Sequence, residues 1–166
     1  MKELPERKNI RLRNYNYSQT GMYFVTICCK NKEHLLGTVV GTDALVRPPY
    51  VELSEEGKIV ENCIQTAGQI YSNVNVDSYV VMPNHTHVIF EFYTPDSTDG
   101  RGRPSLHQVV QGIKSVSTRK CRKYGHITIW QERFYDHIIR GEQDYMQIRE
   151  YIDNNPARWV KDAYYA

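Results

Sequence analysis

Val74-Asn75-Val76-Asp77-Ser78-Tyr79-Val80-Val81-Met82-Pro83-Asn84-His85-Thr86-His87-Val88-Ile89-Phe90-Glu91-Phe92 is the run from which the fold is read. Both flanks of Pro83-Asn84 are rich in β-branched and aromatic residues, the composition of a pleated, half-buried surface. The Pro-Asn pair supplies a tight turn, so the two flanks read as a hairpin. Side chains alternate across a strand. Val88, Phe90 and Phe92 therefore share one face, expected to pack on helices. His85, His87, Ile89 and Glu91 share the other.

Outward from the hairpin, Met22 to Cys29 (MYFVTICC) is a strongly β-prone run and reads as a central strand. Gly37, Gly41, Pro48 and Pro49 punctuate residues 31–49, which read as irregular. Ser54 can cap a helix over about 55–71, with Ile59, Val60, Cys63, Ile64, Ala67, Ile70 and Tyr71 at helical spacing. Ser105 can cap a second helix whose inward stripe is Leu106, Val109, Val110, Ile113, Ser117, Cys121 and Tyr124. A fourth strand falls within 127–139. A last helix over about 142–154 ends before Pro156. The order β-α-β-β-α-β plus a terminal helix predicts an α+β, ferredoxin-like antiparallel sheet with helices on one face.

The 166 residues suit one domain with an adequate core, preceded by a polar, basic arm over 1–20. No apolar stretch reaches the roughly 18 residues of a membrane span. The polar N-terminus has no signal-peptide core, so the expected location is cytoplasmic. Cys28, Cys29, Cys63 and Cys121 form no C-x-x-C pair, which gives no support to a zinc knuckle. They read as small, mostly buried residues of a reducing compartment.

Net charge is only +2 but unevenly spread. Arg101, Arg103, Lys114, Arg119, Lys120, Arg122 and Lys123 lie in a stretch with no acid, and Arg7, Lys8, Arg11 and Arg13 form a second cluster. A single cluster would read as a solvated helix face. Two clusters around the hairpin point to polyphosphate, with Arg11, Arg13, Lys114, Arg119, Lys120 and Lys123 as the candidate contacts.

His85 and His87, one pleat apart at the start of a strand, can grip one divalent metal. A hydrogen-bonded histidine pair is the competing reading. An ordinary imidazole must be neutral to ligate, which puts loss of metal near pH 6.5. On the last helix Tyr145, Ile148 and Ile152 form the packing stripe, while Tyr151 and Asn155 stack on one face, four residues apart. The chain has thirteen tyrosines, so spacing alone does not select Tyr151. His34, His107, His126 and His137 read as structural or solvated.

The chain resembles the single-tyrosine HUH transposases, in the branch of the REP-associated tyrosine transposases. The resemblance is carried by Arg13-Asn14-Tyr15-Asn16-Tyr17 with Tyr23–Cys28, by Val81–His87, by Trp130–Arg140 and by Ile148–Trp159. It spans nearly the whole chain. M-P-N-H-x-H joined to R-E-Y-I-x-N-N-P is far more specific than either motif alone. It implies that His85 and His87 hold the metal and that Asn155 completes the site. Tyr151 would be the nucleophile, cutting single-stranded or hairpin DNA through a 5′-phosphotyrosine link. The middle HUH residue, usually apolar, is Thr86 here. The implied cofactor is Mg²⁺ or Mn²⁺. Relatives include dimers that share tyrosine-bearing helices and monomers that act in cis, so a homodimer is one expected state.

Two other readings remain at this level. One is a non-catalytic nucleic-acid-binding module, which would place stacking aromatics on an open sheet face. The other is a metal phosphodiesterase using water as the nucleophile. No P-loop motif appears, in keeping with chemistry that needs no nucleotide.

Overall fold

The computed structural model describes residues 20–41, 47–94, 103–162 and 164. Arg11 and Arg13, in the basic arm, lie outside the described residues. Strands β1 (Gly21–Cys28), β4 (Val74–Met82), β5 (His85–Phe92) and β6 (Tyr135–Ile139) form one sheet in the order β4-β5-β1-β6. Every pairing in it is antiparallel. With helices α1 (Glu55–Gln65) and α3 (Leu106–Cys121) as the connections, this is the α+β arrangement expected. Residue 66 interrupts the first helix, which resumes as the short α2 (Ala67–Ile70). Ser54 caps α1 through Gly57 N, and Ser105 with Gln108 forms a capping box on α3.

Alternation sorts the side chains into two layers. Tyr23, Val25 and Ile27 of β1 and Val88, Phe90 and Phe92 of β5 are buried against Val60, Cys63 and Ile64 of α1 and Val109, Val110 and Ile113 of α3. The other face is smaller. There Phe24 and Ile89 pack on Ile152 of α4 (Gly141–Asp153), flanked by Tyr145, Ile148 and Tyr151. The face opposite the main core is thus covered by the terminal helix. An open stacking platform, the geometry needed by the binding-module reading, is not what this face presents. Thr86, the polar departure in the motif, is fully buried and its hydroxyl has no hydrogen-bond partner.

Three expectations need correction. Residues 37–40 and 50–53 form a two-stranded antiparallel sheet, β2 (Gly37–Val40) and β3 (Tyr50–Leu53). Tyr124 is exposed rather than part of the inward stripe of α3. Lys114 is not a surface cation. It is buried, and its ammonium donates to the carbonyls of Gln131 and Glu132 at 2.6 and 2.8 Å, tying α3 to the segment before β6. Arg119, Lys120 and Lys123 are exposed at the C-terminal end of the helix layer opposite the His face.

Candidate active site

Pro83 and Asn84 join β4 to β5 and bring His85 onto the sheet at once. Asn84 is buried. Its main-chain oxygen accepts from Cys29 N at 2.7 Å, which pins the turn to the end of β1. Its side-chain oxygen lies 2.8 Å from His85 Nδ1. An amide oxygen can only accept, so His85 donates from Nδ1 and presents the lone pair of Nε2. Thr26, opposite His87 in the β1–β5 register, places its hydroxyl 2.8 Å from His87 Nδ1. Both rings are thereby oriented from behind, and their Nε2 atoms face each other at 3.0 Å. Two nitrogens each about 2.1 Å from one ion, at roughly right angles, stand about that far apart.

Helix α4 brings the other half. Its first turn is fixed by Asp144, whose carboxylate accepts from Arg140 N at 2.8 Å and from His137 at 2.9 Å. His137 therefore serves the helix start. Tyr145 hydrogen-bonds Asp77 on β4 at 3.0 Å and accepts from Arg149 at 3.2 Å. With the helix docked, the Tyr151 ring sits 5.1 Å from that of His87 and 6.2 Å from that of Phe24, centroid to centroid. Asn155, one turn on, is fully buried, and its side-chain oxygen has no hydrogen-bond partner. So His85, His87, Tyr151 and Asn155, far apart in sequence, converge.

Sequence reasoning missed Asp162. After α4, a 3-10 turn (Pro156–Lys161) folds the chain back over the site, and Trp159 comes within 6.0 Å of the His85 ring. Asp162 then accepts from Asn155 Nδ2 at 3.0 Å and from the Tyr151 hydroxyl at 3.3 Å. Ligand atoms of His85, His87 and Asp162 all lie within 4.8 Å of one another, a group that could hold one metal ion. A lone Asp in a tail carries no spacing signal. The only hint was the aromatic content around it, Trp159, Tyr164 and Tyr165.

Burial lowers the His85 pKa to about 4, partly offset by the Asp162 charge, and holds His87 well below the usual imidazole value. Both rings are neutral at pH 7, as ligation requires. Burial, then the Asp162 charge, pushes Tyr151 up to about 12. The phenol therefore keeps its proton at neutral pH unless positive charge is brought beside it. Elsewhere His126 pairs with Glu56 at 2.9 Å, His34 meets Trp159 edge-on and His107 lies tilted beside Phe134.

One antiparallel α+β sheet thus carries the histidine pair under a tyrosine-bearing helix. The family described as "Transposase IS200 like" matches residues 19–155, and the chain belongs to it. It is 35% identical over 176 residues to an uncharacterized protein of Haemophilus influenzae, covering 96% of this chain and 93% of that one. It is 34% identical over 88 residues to the REP-associated tyrosine transposase of Escherichia coli K12, covering 52% of this chain and 47% of that protein. A solved structure of a REP-associated tyrosine transposase bound to a REP hairpin shares the fold. Its TM-score is 0.60 at 23% identity, and the match covers 89% of this chain and 73% of the other. Among the described residues no helix is long and apolar enough to cross a membrane.

Proposed function

We propose that the protein is a metal-dependent single-stranded DNA endonuclease and transesterase, transposase-like, that works through a 5′-phosphotyrosine intermediate. The observation that carries this reading is the convergence of Tyr151, from α4, on the His85–His87 pair of β5. His85, His87 and Asn155 are the residues that would hold Mg²⁺ or Mn²⁺. The pair of facing, neutral imidazoles and the unsatisfied buried oxygen of Asn155 fit such an ion. Imidazole ligation suits Mn²⁺ better than Mg²⁺. Bound there, such an ion would supply Lewis-acid polarisation of a phosphate and offset charge on its oxygens.

The chain's own residues do the rest. The Tyr151 oxygen attacks the scissile phosphorus and gives up its proton to solvent. The bond from phosphorus to the 3′ oxygen breaks, and that oxygen takes a proton to leave as a 3′-hydroxyl. The 5′ end stays on Tyr151 as a phosphodiester. Attack by a 3′-hydroxyl reverses the step, so rejoining needs no nucleotide. Phe24 stacks on His87, 5.2 Å between centroids and 26° between planes, and helps keep water from the buried pair. Arg119, Lys120 and Lys123, with Arg11 and Arg13 of the arm, would hold DNA phosphates.

The whole chain would act as one catalytic domain, in the cytoplasm, on hairpin-bearing single strands. The REP hairpin bound by the structural relative supports that choice of partner. The test is incubation with Mn²⁺ and a hairpin strand from the flanks of its own gene, labelled at either end. Retention of the 3′-labelled fragment on the protein is expected. Cleavage that leaves both fragments free would make water the nucleophile and refute the reading.

A further inference from the structure

We propose that Asp162, from the tail beyond α4, is a ligand of the same metal ion and the one anionic group of the site. The proposal rests on the reading of His85 and His87 as metal-holding residues. Residue 162 lies outside the 19–155 segment that defines the family match.

Two imidazoles and an amide bring no negative charge to a divalent cation. Hard cations such as Mg²⁺ and Mn²⁺ are ordinarily held through carboxylate oxygens. Asp162 lies within ligand reach of both histidines. Among the described residues it forms no ion pair with any Lys or Arg. A carboxylate shielded from full solvent and lacking a cation partner is costly unless charge is supplied to it.

Asp162 draws the Asn155 amide nitrogen towards itself at 3.0 Å. The Asn155 oxygen is thereby left over, fully buried and with no donor. A cation between His85, His87 and Asp162 would satisfy that oxygen and the carboxylate together. The position of Asp162 is built. Its main-chain N–H donates to the Trp159 carbonyl at 3.0 Å, and its Oδ1 accepts from Tyr164 N at 2.8 Å. Trp159 is itself buried beside His85. The tyrosine hydroxyl held by the same carboxylate ties the nucleophile to this centre.

The test is Mn²⁺ binding to the full chain, followed by electron paramagnetic resonance of the free ion, without DNA. Asp162→Asn keeps the shape and removes the charge. It should weaken Mn²⁺ binding by about tenfold or more. His85→Ala/His87→Ala should abolish binding. If Asp162→Asn binds like wild type while the double His variant does not, Asp162 is no ligand and the metal reading stands. If wild type itself binds no Mn²⁺, the metal reading falls and takes this proposal with it. Should Asp162→Asn melt below the assay temperature, Asp162→Glu replaces it. The longer carboxylate must still bind more weakly than wild type and more tightly than the double His variant, and binding equal to wild type would overturn the placement.

Discussion

Thr26→Val replaces one hydroxyl by a methyl behind the His pair. Thr26 is 1% exposed, and its hydroxyl is 2.8 Å from His87 Nδ1. Valine keeps the shape and the β propensity of a central strand. It leaves a fully buried ring nitrogen without a partner. The free-energy cost of such an orphaned group is about 1–3 kcal/mol. For a chain of this size that lowers the melting temperature by roughly 2–4 °C per kcal/mol. The larger effect falls on the metal. Partners behind a ligating histidine contribute about 10–100-fold to affinity, or roughly 1.4–2.7 kcal/mol. Calorimetric titration of Mn²⁺ into wild type, Thr26→Val and Thr26→Ser measures it. Thr26→Ser, which keeps the hydroxyl, should remain near wild type. Equal Mn²⁺ affinity for Thr26→Val and wild type, with both folded, would refute the view that this hydroxyl sets the ring for ligation.

Two further predictions follow from charge. Replacing Arg119, Lys120 and Lys123 together by Gln should weaken binding of a labelled single strand and reduce the log–log salt slope by roughly 2. An unchanged slope in fluorescence anisotropy would mark these residues as a solvated face. For pH, the folded pKa values of His85 and His87 lie below the 6.5 of an unfolded imidazole, at about 4 for His85. The unfolded chain therefore takes up protons first as pH falls. The contribution of His85 is complete above pH 6.5 and is lost between 6.5 and about 4, and His87 adds a loss of the same sign as pH falls below 6.5. This moves the loss of metal below the pH 6.5 expected for ordinary imidazoles. A melting temperature that rises from pH 6.5 to 5 would contradict the sign.

The hairpin around Pro83-Asn84, the two faces of β5 and the packing stripe of α4 were legible because each depends on a local period. Val88, Phe90 and Phe92 fall in the main core, and Ile89 falls under α4, as alternation requires. The strands β2 and β3 were not legible. Four residues each, bounded by glycine and a Pro-Pro pair, they are too short for alternation to stand out. Lys114 misled because its ammonium is buried and donates to the main-chain carbonyls of Gln131 and Glu132, a long-range contact that no helical pattern encodes. Asp162 was missed for a similar reason. Its place depends on the tail turning at Pro156 and on Trp159 burying itself beside His85.

The most direct test of the central claim is the covalent adduct formed by wild type and by Tyr151→Phe on the same hairpin strand with Mn²⁺. Tyr151→Phe removes one oxygen and keeps the ring beside His87 and Phe24, so fold and DNA binding should persist. Wild type should give a protein–DNA band that survives boiling in detergent, and Tyr151→Phe should give none. An adduct of equal yield from Tyr151→Phe would place the nucleophile on another tyrosine and contradict the reading of this site.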